Sequence, residues 1–170
     1  GGAQDNGSTL NVLGAGTSFE MVAGGDGVSV GLTDDISGST YEYVGSQLGN
    51  IYRRSSASGL GFYDDITPEY ANTVTSAGLF VTVFRLDPDN TQILYYANDD
   101  TLYRTTTASA VTTTSWTKMT GLAAAIGTTH DITAIATTRG TYSPATASLF
   151  IGASDVSGSI TSAKLFRLDD

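Results

Sequence analysis

The sequence predicts an all-β protein built from a repeated unit of four short strands, and three observations carry that prediction. Short apolar segments that run into polar turns recur about 50 residues apart, a period typical of repeat architectures. Gly, Ser and Thr abound while charged residues make up only 15% of the chain. That mixture suits turn-rich strands better than helices, whose exposed faces need Glu, Lys and Arg. The acidic residues are 14 Asp against three Glu, and Asp starts turns where Glu favours helices.

The first strand of the unit is read three times. Val28 to Leu32 runs into Thr33-Asp34-Asp35, Val81 to Leu86 into Asp87-Pro88-Asp89-Asn90, and Ile132 to Thr137 into Thr138-Arg139-Gly140. Val30, Val83 and Ile135 are the expected equivalent positions, 53 and 52 residues apart. Second strands are expected at Ser39 to Gly45, Gln92 to Ala97 and Ala147 to Gly152. The third strand carries an aliphatic-aromatic-arginine signature: Ile51-Tyr52-Arg53, Leu102-Tyr103-Arg104 and Leu165-Phe166-Arg167. A fourth strand brings an aromatic residue at Phe62-Tyr63 and at Trp116. Thr105 to Thr107 and Thr112 to Thr114 lie between third and fourth strands, where β-branching favours extended chain. The one stretch of helix-favouring composition, Leu122 to Ile126, is flanked by Gly121 and Gly127 and is too short to be stable alone.

Four short strands per unit, separated by turn residues, are the pattern of a propeller blade. The expected fold is therefore all-β, a β-propeller fragment of about three four-stranded antiparallel blades in one domain. Residues 1–27 read as the third and fourth strands of a preceding blade, 28–78 and 79–128 as complete blades, and 129–170 as three strands of an incomplete one. Thr141 to Thr146 and Ser154 to Ser162 read as longer surface loops. The chain opens at Gly1-Gly2 in strand-like sequence and reads as a processed or excised piece. An unclosed array leaves apolar faces wet, so the remaining blades are expected from a longer chain or from copies of this one.

Composition removes several classes. The net charge of −9 and the lack of a basic run longer than Arg53-Arg54 disfavour nucleic acid as a partner. There is no cysteine, hence neither a disulfide framework nor a Cys-based zinc site. No apolar run approaches the ~20 residues of a transmembrane helix. Gly24 to Gly27 opens a strand and not a helix, which disfavours a phosphate cradle.

Several runs resemble those of secreted bacterial BNR (Asp-box) propellers. Gly24-Gly25-Asp26-Gly27 is similar to the Gly-Gly-Asp-Gly junction of such proteins, and Gly2-Ala3-Gln4-Asp5-Asn6-Gly7 to the run that precedes it. Ile51-Tyr52-Arg53 and Leu102-Tyr103-Arg104 resemble the strand that leads into an Asp-box. The resemblance implies kinship with sortilin-like propellers and xyloglucanase-like glycoside hydrolases. The boxes themselves are degenerate. Arg54 to Gly59 lacks the Asp, Thr105 to Ser109 lacks both Asp and Gly, and Arg167 to Asp170 breaks off where a box would begin.

No catalytic residue is assigned. The acidic doublets Asp34-Asp35, Asp64-Asp65, Asp99-Asp100 and Asp169-Asp170 suggest a glycosidase pair only if carboxylates of different units converge, and solvated turns explain them more simply. Calcium is the one cofactor considered, with Asp87, Asp89, Asn90, Asp99 and Asp100 as candidate ligands because they cluster hard oxygens in tight loops. Tyr41, Tyr43, Tyr95 and Tyr96 are expected to pack between sheets sooner than to stack on sugar, and Trp116 to anchor its blade. His130, the single histidine, is expected on the surface or in a loop. Asn6-Gly7-Ser8 is a glycosylation sequon that would fit an extracellular surface.

The function expected on these grounds is a non-catalytic, secreted or cell-surface module that binds polysaccharide or an extracellular protein, or builds a surface assembly. Two alternatives stay open: a fragment of a secreted glycoside hydrolase, and a subunit of a surface layer or filament.

Overall fold

The computed structural model describes residues 1–11, 18–34, 36–58, 63–69, 78–140, 143, 145–146, 148–155 and 162–169. These form four antiparallel sheets in which each strand pairs with its neighbour in sequence. Sheet 1 holds β1 (Gly2–Ala3), β2 (Gly7–Leu10) and β3 (Glu20–Ala23). Sheet 2 holds β4 (Val30–Leu32), β5 (Tyr41–Gly45), β6 (Ile51–Ser55) and β7 (Asp64–Asp65). Sheet 3 holds β8 (Val83–Leu86), β9 (Leu94–Asn98), β10 (Thr101–Thr105) and β11 (Thr117–Lys118). Sheet 4 holds β12 (Asp131–Thr137), β13 (Ser148–Ser154) and β14 (Ala163–Asp169).

The turns explain the local order. Strands β9 and β10 are joined by two residues, Asp99 and Asp100, and Asp99 takes the left-handed conformation (φ 52°) that matches a tight hairpin to strand twist. After the first strand of sheets 2, 3 and 4 comes Thr33, Asp87 or Thr138. Each donates its backbone N–H to the start of the second strand, at Tyr41, Ile93 and Ser148. Thr33 and Thr138 also accept the returning N–H on their hydroxyls. Asp87 instead accepts the N–H groups of Asp89 and Asn90 at 2.9 Å, which curls its longer turn.

The sheets stack face to face in chain order. Tyr43, Ile51 and Ile66 of the sheet 2 segment pack against Leu94, Tyr96, Tyr103 and Val111. On the far side of sheet 3, Tyr95, Ala97 and Leu102 pack against Ile132, Leu149 and Ile151 of sheet 4. Burial of such side chains contributes roughly 1.5–3 kcal/mol each. The first strands run close together, β4 beside β8 and β8 beside β12. Gly31 and Gly45 permit the approach: a Cβ at Gly31 would sit 2.8 Å from Leu86, and one at Gly45 3.2 Å from Thr82. The Trp116 indole donates to the Ile66 carbonyl at 2.7 Å and so fastens sheet 3 to sheet 2.

The structure differs from the sequence reading at four places. Gly1 to Gly7, read as one strand, is a hairpin, so the described residues among 1–27 hold three strands and not two; Asp5 and Gly7 turn the chain in the left-handed region (φ 62° and 67°). The residue equivalent to Val30 and Ile135 is Phe84 and not Val83. Val30, Phe84 and Ile135 oppose Val44, Tyr96 and Ile151, which in turn oppose Tyr52, Tyr103 and Phe166. A one-residue shift puts Val83 on the opposite face, toward sheet 4. Leu122–Ile126 does form a helical turn, α1, held by burial of Leu122 and Ile126 in the core and not by its own propensity. Ser154, read as the start of a loop, closes β13. Most of the two expected loops, together with Asp35, Phe62 and Asp170, lies outside the described residues.

Candidate functional site

The third-strand signature has a structural meaning. Arg53, Arg104 and Arg167 stand directly opposite Tyr43, Tyr95 and Phe150 on the neighbouring strand. Each arginine therefore shares a sheet face with an aromatic ring, the face turned away from the preceding sheet. Arg53 uses it to cross the interface, donating from Nη1 to the Val111 carbonyl at 2.8 Å and pairing through Nη2 with Asp64 at 3.1 Å. Tyr43, Tyr95 and Tyr96 are buried between sheets and offer no platform to a ligand, while Tyr41 is half-buried.

Where the first strands of sheets 2 and 3 end, a cleft of about 310 Å³ opens between them. Its lining includes Leu32, Asp34, Arg85, Asp87, Pro88 and Thr91. The surface it presents is more polar than apolar, with charge from Asp34 and Asp87 in the post-strand turns and from Arg85 at the end of β8, an arrangement suited to a hydroxyl-rich ligand. Asp34 and Arg85 are exposed, whereas Asp87 is buried with Oδ1 committed to its turn.

A second, narrower gap of about 50 Å³ lies between sheets 1 and 2, against Leu10, Val22, Val30 and Val44. Its wall carries a polar cluster that sequence reasoning missed. Arg54 donates from Nε to Glu42 Oε2 at 2.8 Å, and from Nη2 to the same oxygen. The Tyr63 hydroxyl donates to that oxygen at 3.1 Å, and the Arg54 guanidinium lies 5.3 Å from the Tyr63 ring centre. Burial, then the Glu42 charge, pushes the Tyr63 hydroxyl up to about 12. A signal existed: strand alternation puts Glu42 and Arg54 on the face opposite Tyr43 and Arg53, both toward sheet 1.

The calcium candidates separate. Asp87, Asp89 and Asn90 precede β9 and Asp99 and Asp100 follow it, at opposite ends of a strand about 17 Å long. Asp89 accepts from the Gly140 N–H at 2.6 Å and pairs with Arg139 at 3.0 Å, which ties the β8–β9 turn to sheet 4. Asn90 Oδ1 accepts from the Gln92 N–H, and Asp100 Oδ1 from the Thr101 hydroxyl. Asp131 lies near Asp99 and Asp100; its own burial, and then their charge, raise its carboxyl above the usual range. Among the described residues no three acidic or histidine side chains are placed to hold a metal ion.

His130 is buried, not on the surface. Its Nδ1 shares a hydrogen bond with the Thr129 hydroxyl at 3.0 Å and its Nε2 one with the Ser162 hydroxyl at 2.7 Å. Both ring nitrogens are thus taken by hydroxyls, whereas a Ser-His-Asp triad places a carboxylate on one of them. The two runs that carry the family resemblance meet in space: the Asp5 N–H donates to Asp26 Oδ1 at 2.7 Å, and the Gly27 N–H to the Ala3 carbonyl at 3.2 Å.

Sheet order and packing define the class as an all-β protein of stacked antiparallel meanders. Among the described residues no helix is long and apolar enough to cross a membrane. Compared with protein-family models, curated proteins and solved structures, the chain matches none.

Proposed function

We propose that the chain is a stretch of an extracellular β-propeller of the Asp-box kind, and that it serves as a non-catalytic module for binding carbohydrate or protein. Support for the propeller comes from consecutive antiparallel meanders of three or four strands stacked by their faces, with the first strands of sheets 2, 3 and 4 close together. The acidic, Gly/Ser/Thr-rich surface is in keeping with an extracellular setting.

The observation that carries the binding reading is the largely polar cleft between β4 and β8, whose lining includes Asp34, Arg85, Asp87 and Thr91. A sugar offers hydroxyls to the Asp34 carboxylate and the Thr91 hydroxyl. Screening of the chain against immobilised oligosaccharides, with calorimetry on the hits, tests this. Binding that is lost in Asp34→Ala supports the reading, and binding untouched by Asp34→Ala and Arg85→Ala moves the site elsewhere.

A glycoside hydrolase fragment is the second reading, favoured by one fact: carboxylates of two different sheets, Asp34 and Asp87, line the same cleft. Against it, Asp87 Oδ1 holds two backbone N–H groups. Release of reducing sugar from a polysaccharide, abolished by Asp34→Asn, would establish the hydrolase and end the non-catalytic reading.

A further inference from the structure

His130 and Ser162 make a nucleophile–base pair that the cleft does not use. His130 ends the connection from α1 to β12, and Ser162 is the residue before β14. Both β12 and β14 pair antiparallel with β13, so they start at the same end of sheet 4 and the residues before each start meet there. His130 Nε2 and Ser162 Oγ lie 2.7 Å apart.

Further bonds fix both partners. His130 Nδ1 shares its hydrogen bond with the Thr129 hydroxyl at 3.0 Å, and the His130 N–H donates to the Gly127 carbonyl at 3.3 Å. Asp155 holds the backbone of Ser162 on both sides: Oδ2 accepts the Ser162 N–H at 3.2 Å, and the Asp155 N–H donates to the Ser162 carbonyl at 3.3 Å. His130 is buried while Ser162 is exposed. The ring is thus fixed out of water and the serine it holds is open to solvent. Every contact comes from sheet 4 and the connection before it, so the pair is complete within the chain. The matching turn of sheet 2, which another sheet does follow, also stays open, with Leu48 48% exposed.

A serine hydroxyl is a weak nucleophile, activated by an adjacent base that a third group orients. With the Nδ1 proton given to Thr129, Nε2 accepts the Ser162 O–H, and Thr129 stands where a Ser-His-Asp triad has its carboxylate. We infer that Ser162 is a covalent modification site that takes an acyl group from an activated carboxylic ester, with His130 as the base. Ser162 Oγ bonds to the acyl carbon as its proton passes to His130 Nε2. The bond from the acyl carbon to the leaving oxygen breaks, and the proton goes on to that oxygen. The products are a serine ester, the free alcohol and a neutral ring. An uncharged ester is the donor class that fits, because Asp131 adjoins His130 in sequence, Asp155 bonds to Ser162, and the chain's net charge of −9 repels anionic phosphoryl donors. Ser162 is a stoichiometric acceptor in this step, so the outcome is independent of whether the cleft binds sugar.

Treatment of the 170-residue chain with p-nitrophenyl acetate at neutral pH, followed by peptide mass mapping, tests this. Ser162 is expected to be acetylated at least about a hundredfold faster in the native chain than in the same chain unfolded in urea, the acceleration a positioned base supplies. Ser162→Ala, at an exposed position, is expected to stay folded by circular dichroism and to lose this rapid acetylation. Thr129→Val is expected to slow it and Thr129→Ser, which keeps the hydroxyl, to restore it. Native Ser162 reacting no faster than in urea overturns the inference, and this comparison needs no variant. A folded His130→Gln whose Ser162 is acetylated at the wild-type rate overturns it as well.

Discussion

Glu42 and Arg54 face each other across β5 and β6 and form an ion pair on the side of sheet 2 that is turned toward sheet 1. Arg54 is 3% exposed. Two charges taken out of water recover their desolvation cost only through close geometry and further hydrogen bonds, here the Tyr63 hydroxyl and two guanidinium donors.

Removing one partner is therefore worse than removing both. Arg54→Met leaves a buried carboxylate without its cation and is expected to cost roughly 3–5 kcal/mol in urea denaturation. The double variant Glu42→Leu/Arg54→Met is expected to regain most of that loss. Equal stability of the two variants would show that the pair is not desolvated.

Alkaline pH acts on the same place. Burial raises the hydroxyls of Tyr43, Tyr63 and Tyr96 above the ordinary 10.0, that of Tyr63 to about 12. The folded state thus holds these protons more tightly than the unfolded state does. Their contribution to stability is complete below pH 10 and is lost as pH rises through the folded values. The urea midpoint is expected to fall steadily above pH 10, with tyrosinate absorbance appearing together with unfolding. Tyr63→Phe is expected to flatten part of that slope between pH 10 and about 12.

Asp131 behaves in the same sense at the acid end. Its carboxyl is raised by burial and by Asp99 and Asp100, so its ionised form opposes folding at neutral pH. Asp131→Asn is expected to raise the thermal midpoint at pH 7. The gain should disappear as pH falls to the ordinary carboxylate value of 3.8. A variant less stable than wild type at pH 7 would mean that the carboxylate holds a bond worth more than the repulsion.

Calcium would have to displace bonds already made. Asp87 Oδ1 holds two N–H groups, and both oxygens of Asp89 are engaged by Gly140 and Arg139. Millimolar calcium is expected to leave the thermal midpoint unchanged. A rise abolished by Asp89→Asn would restore this turn as a metal site.

Strand identity was legible in the sequence because period-2 alternation and turn residues act locally. The signature ending in Arg53, Arg104 and Arg167 aligned third strands whose registers prove equivalent. Strand register was less legible, since the β5–β6 turn spans five residues and the β9–β10 turn two. A count from one unit to the next thus slipped by one at Val83. The buried cluster was missed for another reason. Glu42 and Arg54 read as ordinary polar strand residues until a neighbouring sheet closes over them. His130 does lie in the loop before β12, but its burial there was not legible, since it depends on Thr129 and on Ser162, 32 positions away. The cleft beside Asp34 and Asp87 joins turns of two units, which no pattern within one unit reveals.

The strictly consecutive strand order has a consequence for how the molecule forms. Every sheet is completed by residues adjacent along the chain, so little loop-closure entropy is spent before its ladder bonds exist. Folding can then advance one meander at a time, each finished sheet serving as the template on which the next one condenses. In a nascent chain, that makes the order of synthesis also the order of assembly.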